Sequence, residues 1–230
     1  MIIKGLNKLT LLDYPERVAC TIFTGGCNFR CPFCHNASLA VRPNEVDTIP
    51  EEEIFDFLKK RHGILDGVCV TGGEPMLFSD LPDFLEKIKK LGYSIKLDTN
   101  GSFPEKLRDI ISEGLVDKVA VDIKNSPDGY AKTVGIEGFD PSPIKATVEL
   151  LKEDRVDYEL RTTVVKELHS PTDFEEIGKW ISGARAYFLQ CFADSGDLIG
   201  EGLSAPTPAE MQQYLHIVKK YVTNSHIRGM

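Results

Sequence analysis

The chain has 230 residues, 42% of them hydrophobic, enough for one globular domain with a sizeable core. A formal net charge of −8 and the lack of any basic run argue against a nucleic-acid partner, because neutralising phosphates takes clustered Lys and Arg. No apolar stretch approaches the roughly 20 residues of a membrane span. The opening Met1-Ile2-Ile3-Lys4-Gly5-Leu6 is not a signal peptide, so no membrane and a cytoplasmic location are expected.

Residues 18–24 read as a buried strand that opens onto a loop with three cysteines. A helix is expected over 50–61, with Glu51, Glu52 and Glu53 in its first turn, where the helix dipole favours anions. A short strand over 67–71 ends in Gly72-Gly73-Glu74-Pro75, followed by a helix over 81–91. The strand 94–99 ends at Asn100-Gly101, and a helix near 104–113 leads to a strand over 118–123. Residues 125–143, rich in Gly, Pro and Asp, read mostly as loop. A helix over 144–153, a strand over 157–165 and a helix over 174–182 follow. The sixth strand spans 186–192, a glycine-rich surface loop 193–208, and a last helix 209–221.

Strands alternating with helices predict an α/β fold with a parallel sheet and right-handed crossovers. Eight such units would close a barrel, whereas six predict an open, partial (β/α)6 TIM-like barrel formed by residues 1–230 as a single domain. The active site then belongs at the carboxyl ends of the strands.

Gly25-Gly26-Cys27-Asn28-Phe29-Arg30-Cys31-Pro32-Phe33-Cys34-His35-Asn36 is the strongest chemical signal. Cys27, Cys31 and Cys34, spaced C-x3-C-x2-C, can each give a thiolate to one iron of a 4Fe-4S cluster, leaving the fourth iron without a protein ligand. The alternative is a Cys3His zinc site that recruits His35. Cys34 and His35 are adjacent, however, and neighbours rarely ligate one ion comfortably. Cys20, Cys69 and Cys191 lie singly in apolar runs and read as small core residues.

C-x3-C-x-aromatic-C after the first strand, with Gly72-Gly73-Glu74-Pro75 after the second, resembles the radical S-adenosylmethionine superfamily. The resemblance implies that the three cysteines bind a 4Fe-4S cluster and that S-adenosyl-L-methionine chelates its open iron. It places Phe33 beside the adenine, and Gly72, Gly73 and Glu74 at the cofactor's ammonium. Asp98, closing Leu97-Asp98-Thr99-Asn100-Gly101, and Asp122, opening Asp122-Ile123-Lys124, either face the cofactor or cap the following turn. Asp-x-Lys at that position resembles glycyl-radical-enzyme activases, in which the matching residues touch the cofactor, and this implies the same for Asp122 and Lys124. Arg161, a cation in an apolar strand, either pairs with a cofactor carboxylate or Glu74, or points to solvent. Activators of pyruvate formate-lyase place a histidine after the last strand, where this chain has Gln190.

Thr10-Leu11-Leu12-Asp13-Tyr14-Pro15 leading into the cysteine loop, together with Cys34-His35-Asn36, resembles the activating proteins of anaerobic ribonucleoside-triphosphate reductases. That implies a role for His35 at the cofactor, a glycyl radical enzyme (an anaerobic ribonucleotide reductase) as partner, and flavodoxin or ferredoxin as electron donor. The competing readings are a radical enzyme acting on a small molecule, such as a carboxy-deazaguanine synthase, and a non-catalytic zinc-binding interaction module. Replacing Cys20, Cys69 or Cys191 with Ala is expected to leave the iron and sulfide content unchanged; loss of iron in any of the three would overturn their assignment to the core.

Overall fold

The computed structural model describes residues 1–230, which divide into two compact units. The first comprises Met1–Asn28, Ser38–Thr99 and Glu105–Val119. It holds β1 (Ile3–Thr10), β2 (Ala19–Thr24), α1 (Ala37–Val41, from Ser38 onward), α2 (Glu51–Lys60), β3 (Gly67–Gly72), α3 (Leu81–Lys90), β4 (Ser94–Thr99) and α4 (Pro104–Ser112, from Glu105 onward). β2, β3 and β4 pair in parallel, Ala19 opposite Gly67 and Val70 opposite Leu97. Their middles, Cys20-Thr21-Ile22, Val68-Cys69-Val70 and Ile95-Lys96-Leu97, are buried on both faces, as in a covered parallel sheet. The helices face the core with stripes of the helical period: Ile54 and Leu58 on α2, Phe84 and Ile88 on α3, Leu107 and Ile110 on α4. The register matters most at its end. Thr24 stands opposite Gly72, so the residues leaving β2 run level with those leaving β3.

The second unit comprises Phe29–Ala37, Asn100–Pro104 and Ala120–Met230. It takes the end of β5 (Lys118–Asp122), α5 (Tyr130–Val134), α6 (Ser142–Lys152), β6 (Asp157–Val164), α7 (Pro171–Trp180), β7 (Tyr187–Cys191), α8 (Pro208–Val218) and β8 (Ser225–Arg228). β6, β7 and β8 pair in parallel, Leu160 opposite Tyr187 and Tyr187 opposite Ser225. The Ile123 N–H donates to the Arg161 carbonyl at 2.7 Å, and Thr162 Oγ1 donates to the Ile123 carbonyl at 2.6 Å, tying the end of β5 to β6. Capping boxes start α7 (Ser170 with Asp173) and α8 (Thr207 with Glu210).

The α/β class with a parallel-dominated sheet agrees with the sequence expectation, and the six expected strands are β2 to β7. Two further strands flank them. β1 runs antiparallel to β2 and buries fully only Ile3 and Thr10, so it carries no period-2 alternation to find. β8 has four residues, of which only Ser225 is fully buried. α5 lies inside the stretch expected to be loop: one turn of helix, closed by Gly135 in the left-handed conformation. Thr207→Ala, which removes one capping box, is expected to cost about 1 kcal/mol. The corresponding fall in melting temperature is about 2–4 °C for a chain of this size, measurable by circular dichroism.

Candidate active site

In the first unit, the backbone entering the cysteine loop is locked to the Gly-Gly-Glu-Pro turn. The Gly73 N–H donates to the Thr24 carbonyl at 2.9 Å, and the Glu74 N–H to the Gly26 carbonyl at 2.8 Å. Only glycine permits this approach. A Cβ on Gly73 would stand 1.9 Å from the Gly26 oxygen, and one on Gly72 (φ +121°) 2.2 Å from the Thr24 nitrogen. On the other side the Gly26 N–H donates to the Leu39 carbonyl at 2.7 Å, so Cys27 leaves from a pinned backbone.

Glu74 is fully buried and caps the 3-10 turn Pro75–Leu77; its Oε1 accepts from the Met76 N–H at 3.0 Å and from Thr99 Oγ1 at 2.7 Å. The Lys106 ammonium closes the same turn by donating to the carbonyls of Met76 and Phe78. Asp98 carries an ion pair of its own: Lys96, two residues earlier on the same face of β4 and 1% exposed, donates to its Oδ1 at 2.5 Å.

In the second unit, the rest of the cysteine loop rests on two segments. The Arg30 N–H donates to the Val134 carbonyl at the end of α5 at 2.8 Å, and a Cβ on Gly135 (φ +67°) would stand 2.4 Å from the Arg30 oxygen. The Gly200 N–H donates to the Pro32 carbonyl at 2.8 Å, the Ala37 N–H to Asp197 at 3.3 Å, and Ser195 Oγ to the His35 carbonyl at 3.2 Å. The expected helix-free stretch and the glycine-rich surface loop thus both support the loop.

Cys31 is buried and Cys34 half-buried, joined by a turn in which the Cys34 N–H donates to the Cys31 carbonyl at 3.0 Å. Burial pushes the Cys34 thiol up, while the Asn36 backbone and the Lys124 charge pull it back. All six cysteines are free thiols. The His35 ring stacks on Phe192 at 5.7 Å and bonds the Ala193 backbone; burial lowers its proton affinity. Phe33 is buried, with the Lys124 ammonium 5.7 Å above its ring.

Asp122, Lys124 and Arg161 form one charged group. Arg161 Nε lies 2.9 Å from Asp122 Oδ1, and Lys124 Nζ 3.1 Å from Oδ2. Burial alone would raise Asp122, but the two cations hold its carboxyl well below the usual carboxylate range. Burial would lower Lys124, and the Asp122 charge more than reverses that. Arg161 also lies 4.0 Å from Glu159, which is 1% exposed and takes both ends of the Arg228 guanidinium at 2.9 and 3.0 Å. Arg228 in turn covers the Phe188 ring at 3.4 Å.

The structure therefore gathers Cys31, Phe33, Cys34, His35, Asp122, Lys124 and Arg161 in the second unit, and Cys27, Gly72, Gly73, Glu74 and Asp98 in the first. Within its unit Arg161 pairs with Asp122 and lies 4.0 Å from Glu159, and Asp98 pairs with Lys96. No three His, Cys, Asp or Glu side chains already stand as a metal cage, but free thiols on a glycine-led loop are the donor chemistry an iron–sulfur cluster takes. Sequence reading missed Lys96, Lys106, Glu159 and Arg228. Lys96-x-Asp98 and Glu159-x-Arg161 did carry a signal, since opposite charges two apart in a strand share a face.

The model of the family described as "Radical SAM superfamily" matches residues 21–181. A relative from Methanocaldococcus jannaschii, provisionally named a glycyl-radical enzyme activating enzyme, is 33% identical over 99% of this chain and 95% of its own. A probable GTP 3′,8-cyclase of Thermococcus kodakarensis is 27% identical over 66% of this chain and 57% of its own. Among solved structures, a domain of the pyruvate-formate lyase-activating enzyme of Bacteroides vulgatus superposes with a TM-score of 0.59 at 17% identity, covering 71% of this chain and 99% of that one. That likeness shows the shared fold. With a family match over most of its length, this chain is a radical SAM enzyme, a member of the superfamily that works with a 4Fe-4S cluster and S-adenosylmethionine.

Proposed function

We propose that the enzyme generates a glycyl radical on a partner enzyme, an anaerobic ribonucleoside-triphosphate reductase, with reduced flavodoxin or ferredoxin as electron donor. The observation that carries this reading is the full-length similarity to the provisionally named activating enzyme, 33% identical over 99% of the chain. The Thr10–Pro15 segment and Cys34-His35-Asn36 support the choice of partner.

In this reading Cys27, Cys31 and Cys34 would hold the 4Fe-4S cluster and leave one iron without a protein ligand, open to S-adenosylmethionine. When bound, the pair supplies a one-electron reductive cleavage giving methionine and a 5′-deoxyadenosyl radical able to take hydrogen from a backbone glycine. The residues of the chain bind and orient. Gly72 and Gly73 offer backbone without side-chain bulk, and Glu74 is assigned to the cofactor's ammonium from a turn held by Thr99 and Lys106. Asp98, its charge balanced by Lys96, is assigned to the same ligand. Asp122 orients Lys124 and Arg161, whose positive charge suits the methionine carboxylate. Phe33 and His35, both engaged in ring contacts, give apolar faces for the adenine.

A second reading, hydrogen abstraction from a small molecule, draws on the similarity to the GTP 3′,8-cyclase. It requires a closed pocket with its own polar groups.

Replacing any one of Cys27, Cys31 or Cys34 with Ala is expected to abolish 5′-deoxyadenosine formation by the reduced, anaerobically reconstituted enzyme; retained formation would refute the ligand set. Incubation of wild type with S-adenosylmethionine and an anaerobic ribonucleotide reductase is expected to give the doublet of a glycyl radical by electron paramagnetic resonance. Cleavage that proceeds with no such signal would remove this partner and favour the small-molecule reading.

A further inference from the structure

The loop leaving β5 is tied to the loop leaving β6 by three consecutive residues. The Lys124 carbonyl lies 2.9 Å from His169 Nε2, Asn125 Nδ2 donates to the Leu168 carbonyl at 2.9 Å, and Ser126 Oγ donates to Asp173 Oδ1 at 2.6 Å. All three ties are at least part-buried: Asn125 is 1% and His169 5% exposed. Asn125 also donates to Thr133 Oγ1 at 2.7 Å and accepts the Ser126 N–H at 2.6 Å. A Cβ on Gly129 would stand 2.7 Å from the Asn125 amide, so the chain turns tightly around it.

His169 is the member whose chemistry is most constrained. The Lys124 carbonyl can only accept, so Nε2 carries a proton and donates to it, while the N–H and the carbonyl of Val165 both lie 3.1 Å from Nδ1. Burial lowers the proton affinity of the ring, and Phe174 packs on it at 5.7 Å. The ring therefore bridges the backbones of Val165 and Lys124, and the latter is the residue whose ammonium stands between Asp122 and the Phe33 ring.

We infer that His169 is a positioning residue for cofactor binding: it fixes the Lys124 backbone, and through it the place of the Lys124 ammonium. Both ring nitrogens are engaged by backbone groups, so the residue acts only through Lys124. The inference rests on the reading that Lys124 meets S-adenosylmethionine.

The test uses the anaerobically reconstituted enzyme and measures S-adenosylmethionine affinity by equilibrium dialysis, alongside KM and kcat for 5′-deoxyadenosine formation without any partner. His169→Phe keeps the ring packing and removes both hydrogen bonds. It is expected to weaken binding and raise KM about tenfold, the usual scale for losing a group that orients a ligand-binding residue, with kcat and iron content little changed. His169→Gln, which keeps a donor and an acceptor, is expected to restore most of the affinity. If His169→Phe does not fold, His169→Asn, too short to reach both partners, is read in its place with the same expectation. Unchanged affinity in the variant lacking the bridge overturns the inference, as does a fall in kcat alone or a Gln variant no better than Phe. Lys124→Met separates the two levels. If it weakens binding while the His169 variants do not, the inference fails alone; if it too has no effect, the underlying reading of Lys124 fails with it.

Discussion

The close approach of two glycine-bearing turns governs what the rest of the structure can do. Gly73 comes so near Gly26 that any side chain there would enter the carbonyl oxygen, and the two hydrogen bonds that form replace solvent for the backbone groups on both turns. The parallel register of β2 on β3 makes the approach possible, because it sets Thr24 level with Gly72. A slip of one residue would bring side chains where only backbone fits. The apolar runs of those strands thus do more than fill a core. They set the height at which the first cysteine leaves the sheet.

Within each unit the chain spends polar groups on holding loops still. Glu74 and Lys106 cap the two ends of one turn, Asn125 and Ser126 bind the loop after β5 to the residues that start α7, and Gly200 and Asp197 hold the cysteine loop. A buried carboxylate or amide without partners would be costly, and each of these has them. Ligand-binding residues set on loops gain precision when the loop backbone is itself bonded. This arrangement meets that requirement without long secondary structure at the loop tips.

The alternation of strand and helix was legible in the sequence because parallel strands and their covering helices write strong, distinct periods. The elements that escaped were those with little to bury. β1 and β8 each bury fully one or two side chains, and α5 is a single turn set among glycine, proline and aspartate. The candidate ligands Cys27, Cys31 and Cys34 and the candidate cofactor contacts Gly72, Gly73 and Glu74 stand out in the sequence because each set is defined by spacing within its own loop or turn. Lys106, His169 and Arg228 do not, since each gains its meaning from a partner 28 to 69 residues away. Asp98 and Asp122 illustrate the middle case. Their residue type signalled a charge at the strand ends, but the choice between cap and ion pair was made by Lys96 and Arg161.

The charge states of these groups also say what kind of work they suit. Asp122 has its carboxyl held below the ordinary range, so its contribution to stability is present above the unfolded carboxyl's pKa and is lost only as pH falls through the folded one. Lys124 is raised, so its contribution persists until pH climbs through an already high value. Burial lowers the proton affinity of both His35 and His169, favouring the neutral ring. Asp122 and Lys124 keep their charges near neutral pH, which makes them poor general acids or bases. A fixed field of ammonium, guanidinium and carboxylate instead suits binding a zwitterionic ligand and shielding it from water. Cleavage by electron transfer followed by hydrogen-atom abstraction moves no proton through the protein, so it asks for a site of that kind.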